Sequence, residues 1–143
     1  MDDKIKLAYL AGIIDGEGSF CIGQDSRHKK SFNPRLQISN TDQNLINWLS
    51  TNFKGLIYSY TSLKNPHWKK RFQWIAQKKE ILDICIKIYP YLVIKKEHAQ
   101  IMIEFRQTYN QWRGRGNPVD ETLHLKRIDL MLSLKKLNQR HIK

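Results

Sequence analysis

The chain has 143 residues, 41% of them hydrophobic, and a net charge of +12 from 25 Lys+Arg against 13 Asp+Glu. Length and apolar content predict one domain, residues 1–143, with a real core, and the charge predicts a polyanionic partner, nucleic acid being the commonest. No apolar run reaches the roughly 18 residues of a membrane span, no secretory leader is recognisable, and the two cysteines, Cys21 and Cys85, form no zinc or disulfide pattern, so the expectation is a soluble, intracellular protein without a membrane partner.

The chain is organised around its first helix, expected over 4–15, with Asp2 and Asp3 suitably acidic at its start and Gly16 and Gly18 ending it. Leu7 to Ile14 carry no charge, so this helix should be covered on all sides. One core covers one side, and a second copy of the same helix is the natural cover for the other. Ala8, Gly12 and Gly16 fall at i, i+4 and i+8, where small side chains let two helix backbones approach closely. Asp15 and Glu17 have the wrong sign for a helix C-terminus, a mismatch of roughly 0.3–1 kcal/mol each. A local rule broken without evident gain marks a place to look for function. The bland alternative is that Asp15 satisfies nearby backbone groups and Glu17 is solvated.

A strand follows over 19–24, where Phe20 and Ile22 alternate with Ser19, Cys21 and Gly23. Residues 24–31 form a hairpin loop with a cationic tip of Arg27, His28, Lys29 and Lys30. The second strand covers 32–40, with Leu36 and Ile38 on one face and Arg35, Gln37 and Ser39 on the other. Arg, Gln and Ser hydrogen-bond base edges and phosphates, although a solvated sheet face has the same composition. A second helix, capped by Thr41 or Asp42, runs to about 52 with Leu45, Ile46, Leu49 and Phe53 at helical spacing.

The third strand, 56–62, puts Tyr58, Tyr60 and Ser62 on one face. A turn at 64–67 leads to the fourth strand, 70–76, with Phe72, Trp74 and Ala76 inward, and Arg71, Gln73 and Ile75 outward. Lys69, Lys70 and Arg71 form a second cationic patch. A third helix, 78–89, buries Ile81, Ile84, Cys85 and Ile88 and stops at Pro90. A fourth helix spans 96–112, and the basic loop 113–118 is either a phosphate contact or a plain linker. A last helix, 120–138, carries Leu123, Ile128, Met131, Leu134 and Leu137 inward, and Lys126, Arg127, Lys135, Lys136 and Arg140 on a solvated face. The order α-β-β-α-β-β-α plus two helices is an α+β pattern, with an antiparallel sheet covered by helices on one side.

Leu10-Ala11-Gly12-Ile13-Ile14-Asp15-Gly16-Glu17-Gly18 resembles the signature of the LAGLIDADG homing endonucleases, matching seven of nine positions when Glu is allowed for the second Asp. The Ser19-Phe20 that follows is also similar to the family, and so is the element order. The resemblance implies the LAGLIDADG fold, with a saddle-shaped antiparallel sheet. The motif occurs once, which in this family implies a homodimer meeting through the first helix, at Ala8, Ala11, Gly12, Asp15 and Gly16. It implies a site-specific double-strand DNA endonuclease dependent on Mg²⁺, with Mn²⁺ as a substitute. Glu17 and the carbonyl of Gly16 would hold the metal. Lys95, after Pro90-Tyr91-Leu92, would act near the scissile phosphate, with Lys96 as the alternative, and Asn40 would order solvent. Target reading would fall to Arg35, Gln37, Tyr58, Tyr60, Arg71 and Gln73, with Ser39 and Ser19 near the centre. Lys29, Lys30, Lys69 and Lys70 would hold phosphates. A free-standing chain of this size suits an intron-encoded protein. Two alternatives stay open: a maturase acting on intron RNA or a non-cleaving DNA-binding protein on the same fold, and a generic basic α+β protein whose first helix is only an interface.

Overall fold

The computed structural model describes residues 2–111 and 120–140. Helix α1 spans Asp3–Glu17, strands β1 and β2 span Gly18–Gln24 and Phe32–Asn40, and α2 spans Gln43–Asn52. Strands β3 and β4 cover Leu56–Tyr60 and Arg71–Gln77, and α3 covers Lys79–Ile88. A 3-10 turn at Tyr89–Tyr91 precedes α4, Lys96–Gln107, and another at Thr108–Gln111 follows it; α5 spans Glu121–Arg140. The loop expected over 113–118 lies outside the described residues.

The four strands form one open antiparallel sheet in the order β1-β2-β4-β3. Alternation sorts its faces. Phe20, Ile22, Leu36, Ile38, Trp74 and Ala76 turn inward to a core shared with α1, α2, α3, α4 and α5. In α3, Ile81, Ile84, Cys85 and Ile88 are all buried at the spacing that its sequence shows. Helix α2 begins where Asp42 accepts the Asn44 backbone N–H, satisfying one of the free donors of the first turn.

Within this chain helix α1 is buried on one side, through Leu10, Ala11 and Ile14, while Ile5, Ala8, Tyr9, Gly12 and Gly16 face outward and exposed, on the side for which the sequence predicts a second copy. Its end departs from the expected one: the helix runs through Gly16 and ends at Glu17, with Gly18 as the C-cap at φ −74°. Gly18 is therefore not needed for a left-handed turn. It is needed for closeness, because a Cβ there would sit 2.8 Å from the Ile14 Cα, on the helix that β1 leaves.

Three smaller departures have local causes. Strand β3 stops at Tyr60, because the Ser62 hydroxyl accepts the Asn65 N–H and opens the turn early. Helix α4 tightens into its 3-10 turn at Thr108, whose hydroxyl donates to the Phe105 carbonyl. Arg127, expected on a solvated face, is 2% exposed: its Nε donates to Thr108 Oγ1 at 2.9 Å, and its guanidinium lies 4.4 Å from the Tyr109 ring centre.

Candidate active site and nucleic-acid interface

The two motif acids part company at the end of α1. Asp15 turns toward the segment before α4. Its carboxylate accepts the backbone N–H of Val93 at 2.8 Å, of Ile94 at 3.1 Å and of Lys95 at 3.0 Å. Glu17 is exposed, and its Oε2 accepts 2.8 Å from the Asn40 side-chain amide at the end of β2. Asn40 is itself fixed, since its Oδ1 accepts the Asp42 N–H that opens α2. A chain of bonds thus leads from the α1 terminus through β2 to the α2 cap.

Lys95 completes the constellation from the other side. Its ammonium donates to the Ile14 carbonyl at 3.1 Å and to the Gly18 carbonyl. The Ile14 carbonyl, which also accepts the Gly18 backbone N–H, lies in the last turn of α1, where a cation is favoured. Burial pushes the Lys95 pKa below the usual lysine range, and the Asp15 carboxylate offsets part of that. Lys96 instead lies over the Tyr89 ring, 5.4 Å from its centre. Glu17, Asn40 and Lys95 are therefore brought to one place, around the junction of α1 and β1.

A divalent cation of the Mg²⁺ class takes hard oxygen donors, commonly one or two carboxylates, and keeps several waters. Glu17 offers an exposed carboxylate of that type, beside the exposed Gly16. Among the described residues no group of three His, Cys, Asp or Glu comes together, at this site or at another. The donor chemistry fits a hydrated Mg²⁺ held by few protein oxygens.

The outer sheet face begins at the same junction. Register pairs Ser19 with Gln37, Cys21 with Arg35, Ser39 with Gln73, Tyr58 with Gln73 and Tyr60 with Arg71. Alternation puts these side chains together, opposite the core. Ile75 and Leu56 pair on this face between β4 and the edge strand β3, making a small apolar island. Lys29 and Lys30 stand at the β1–β2 tip, where Lys30 pairs with Glu121 of α5 at 3.6 Å. Lys69 and Lys70 stand at the β3–β4 tip, at the opposite end of the sheet.

The outward stripe of α1 is the second surface. A Cβ added at Gly12 or Gly16 would meet nothing within 4 Å, so this chain alone gives no reason for glycine there. Each helical glycine costs about 1 kcal/mol against alanine. Tyr9 edges the stripe, with its ring packed edge-on against Trp48 of α2 at 4.8 Å. Of the helix residues expected at an interface, Ala8, Gly12 and Gly16 lie on this face. Ala11 lies in the chain's own core, and Asp15 is engaged by 93–95. Tyr9 escaped sequence reasoning; its helical spacing from Gly12 and Gly16 was the available signal.

The α1 glycine stripe, the exposed acid at its end and the four-stranded antiparallel sheet beside it form one α+β frame, and comparison gives its family. The chain matches the LAGLIDADG endonuclease family over residues 10–113 and belongs to it. No curated protein matches. Among solved structures, the chain is similar to the homing endonuclease I-CvuI in complex with its target in the presence of Ca. The TM-score is 0.74 at 16% identity, covering 94% of this chain and 83% of that one. It is similar to the archaeal intron-encoded homing endonuclease I-Vdi141I complexed with DNA, with a TM-score of 0.75 at 15% identity, covering 95% and 86%. It is also similar to the LAGLIDADG meganuclease I-AabMI bound to uncleaved DNA, with a TM-score of 0.65 at 23% identity. There it covers 93% of this chain but 44% of that one.

Proposed function

We propose that this chain is a homodimeric, site-specific homing endonuclease that breaks both strands of a long, roughly palindromic DNA target. The observation that carries this is the position of the Glu17 carboxylate. It stands exposed where the unpartnered stripe of α1 meets the outer face of the sheet. Two chains joined along Ala8, Gly12 and Gly16 bring two Glu17 carboxylates near one two-fold axis. The two backbones of a duplex are related by a similar axis. One acid per chain then serves two strands.

Each residue has a part in that reaction. Glu17 and the Gly16 carbonyl hold Mg²⁺, for which Mn²⁺ substitutes. An ion held there would supply charge neutralisation at the reacting phosphate and a lowered pKa for a bound water. Asn40 holds Glu17 in position and presents its amide to solvent at the cut site. Lys95 fixes the carbonyls on both sides of Glu17 and adds a positive charge beside the phosphate. Arg35, Gln37, Tyr58, Tyr60, Arg71 and Gln73 read base edges, with Ser19 and Ser39 nearest the centre. Lys29, Lys30, Lys69 and Lys70 contact phosphates and set the salt dependence. Intron origin fits this chain size and the archaeal relative described above.

The test is a selection of duplexes from a random DNA library in Ca²⁺, followed by transfer of the bound pool to Mg²⁺. Wild type and Glu17→Gln are run side by side. Cleavage of both strands by wild type alone, with equal binding by the variant, is expected. Cleavage by both proteins removes Glu17 from the role. Selective binding with no cleavage by either replaces the endonuclease with a DNA-binding regulator or an intron-RNA maturase.

A further inference from the structure

The β3–β4 connection carries two large apolar side chains that the described residues leave largely exposed. Leu63 is 96% exposed and Trp68 is 60% exposed. The connection is nonetheless built. Asn65 N–H donates to Ser62 Oγ, and Trp68 N–H donates to the Asn65 carbonyl, so Trp68 closes a turn. The charged residues of its own segment have one sign. Residues 61–71 hold Lys64, Lys69, Lys70 and Arg71, with no Asp or Glu.

The register places this tip at the active-site end of the sheet. Asn40, which holds Glu17, pairs with Phe72, and Phe72 pairs with Ser59. The connection leaves β3 one residue beyond that row, at Tyr60. It extends the surface of Tyr58, Tyr60, Arg71 and Gln73 past its end.

Exposed tryptophan among lysines, without an acid, fits a polyanion that also offers apolar faces. A nucleic-acid duplex offers both, through phosphates and base planes. Apolar side chains that enter a base step partly unstack it. We infer that Trp68, supported by Leu63, is a wedge that enters a base step near the cut position while Lys64, Lys69 and Lys70 hold the flanking phosphates. This rests on the DNA reading above.

The test uses a duplex recovered by wild type in Ca²⁺, with 2-aminopurine placed at successive central steps. Wild type should raise fluorescence at one step; Trp68→Ala should not. Trp68→Ala should bind about 5- to 150-fold more weakly, with the slope of log K against log salt unchanged. Trp68→Tyr, which keeps a stacking ring, should retain most of the affinity. Lys69→Ala should lower the salt slope by about one. Equal melting temperatures check that the exposed substitutions leave the fold intact. Unchanged binding and fluorescence in Trp68→Ala overturn the wedge. So does a shift of Trp68→Ala to monomer, which assigns Trp68 to contact between copies. If wild type recovers no duplex, the DNA reading itself fails and takes the wedge with it.

Discussion

Asp15 and Lys95 hold each other's ends of the chain: the Asp15 carboxylate accepts the Lys95 backbone N–H at 3.0 Å, and the Lys95 ammonium donates back to the Ile14 carbonyl at 3.1 Å. Eighty residues of sequence separate them. The exchange clamps the α1 terminus to the start of α4 and so fixes the platform on which Glu17 stands. Two adjacent motif acids thus have different work, one structural and one facing solvent. Asp15→Ala removes the acceptor of three backbone N–H groups and should cost about 2–3 kcal/mol. Glu17→Ala, at an exposed site where an acid opposes the helix dipole, should change stability by less than about 0.5 kcal/mol. Urea unfolding of the two variants measures this; equal losses would break the division of roles.

Lys95 should titrate below the other lysines. Burial strips water from its ammonium, so the folded-state pKa falls under the ordinary 10.5, with the Asp15 charge offsetting part of the fall. In the window between the folded and ordinary values the unfolded chain binds more protons. Folding therefore gains stability as pH rises through that window toward 10.5. Below the window the burial cost is present in full. Lys95→Met should remove this slope from the pH dependence of stability. The Lys95 side-chain resonances should move at lower pH than those of exposed lysines. Resonances that move together would place the ammonium in water.

Much of this arrangement is legible in the sequence, because it is local. The motif is contiguous, β2 alternates cleanly, and Asp42 announces α2. What is illegible depends on register and on distant partners. Nothing near Asn40 says that it bonds Glu17; that follows from Gly18 and Ile38 pairing across β1 and β2. Arg127 reads as solvated, because its helix looks basic on that side. Its cover comes from Phe105, Thr108 and Tyr109, about twenty residues earlier in a different element. Asp15 and Glu17 are nearly identical in sequence context, and only the position of residues 93–95 separates them.

Gly12 offers a test of the proposed dimer that spares the chemistry. A Cβ there meets nothing in this chain, so Gly12→Ala should stabilise an isolated chain by up to about 1 kcal/mol. A bulkier Gly12→Leu should also be accommodated by the isolated fold. If a second α1 packs against this stripe, Gly12→Leu holds the backbones apart. Sedimentation should then show folded monomer, and double-strand cleavage should be lost. Gly12→Leu that remains dimeric would move the interface elsewhere.

The two cysteines report on the two sides of the sheet. Thiol reagents attack the thiolate. Cys85 is fully buried, and burial pushes its thiol up to about 12, so it should not react in the folded protein at pH 8. Cys21 is half-buried on the outer face, paired in register with Arg35. One thiol per chain should therefore label in the native state. Cys21→Ser should abolish that labelling, and Cys85→Ala should leave it unchanged. A selected duplex in Ca²⁺ should protect Cys21, because bound DNA would cover the face on which it stands. Labelling of Cys21 at the same rate with and without saturating DNA would mean that DNA binds away from this face. The assignment of Arg35, Gln37 and Gln73 to base reading would then fail, while that of Glu17 would stand on its own test.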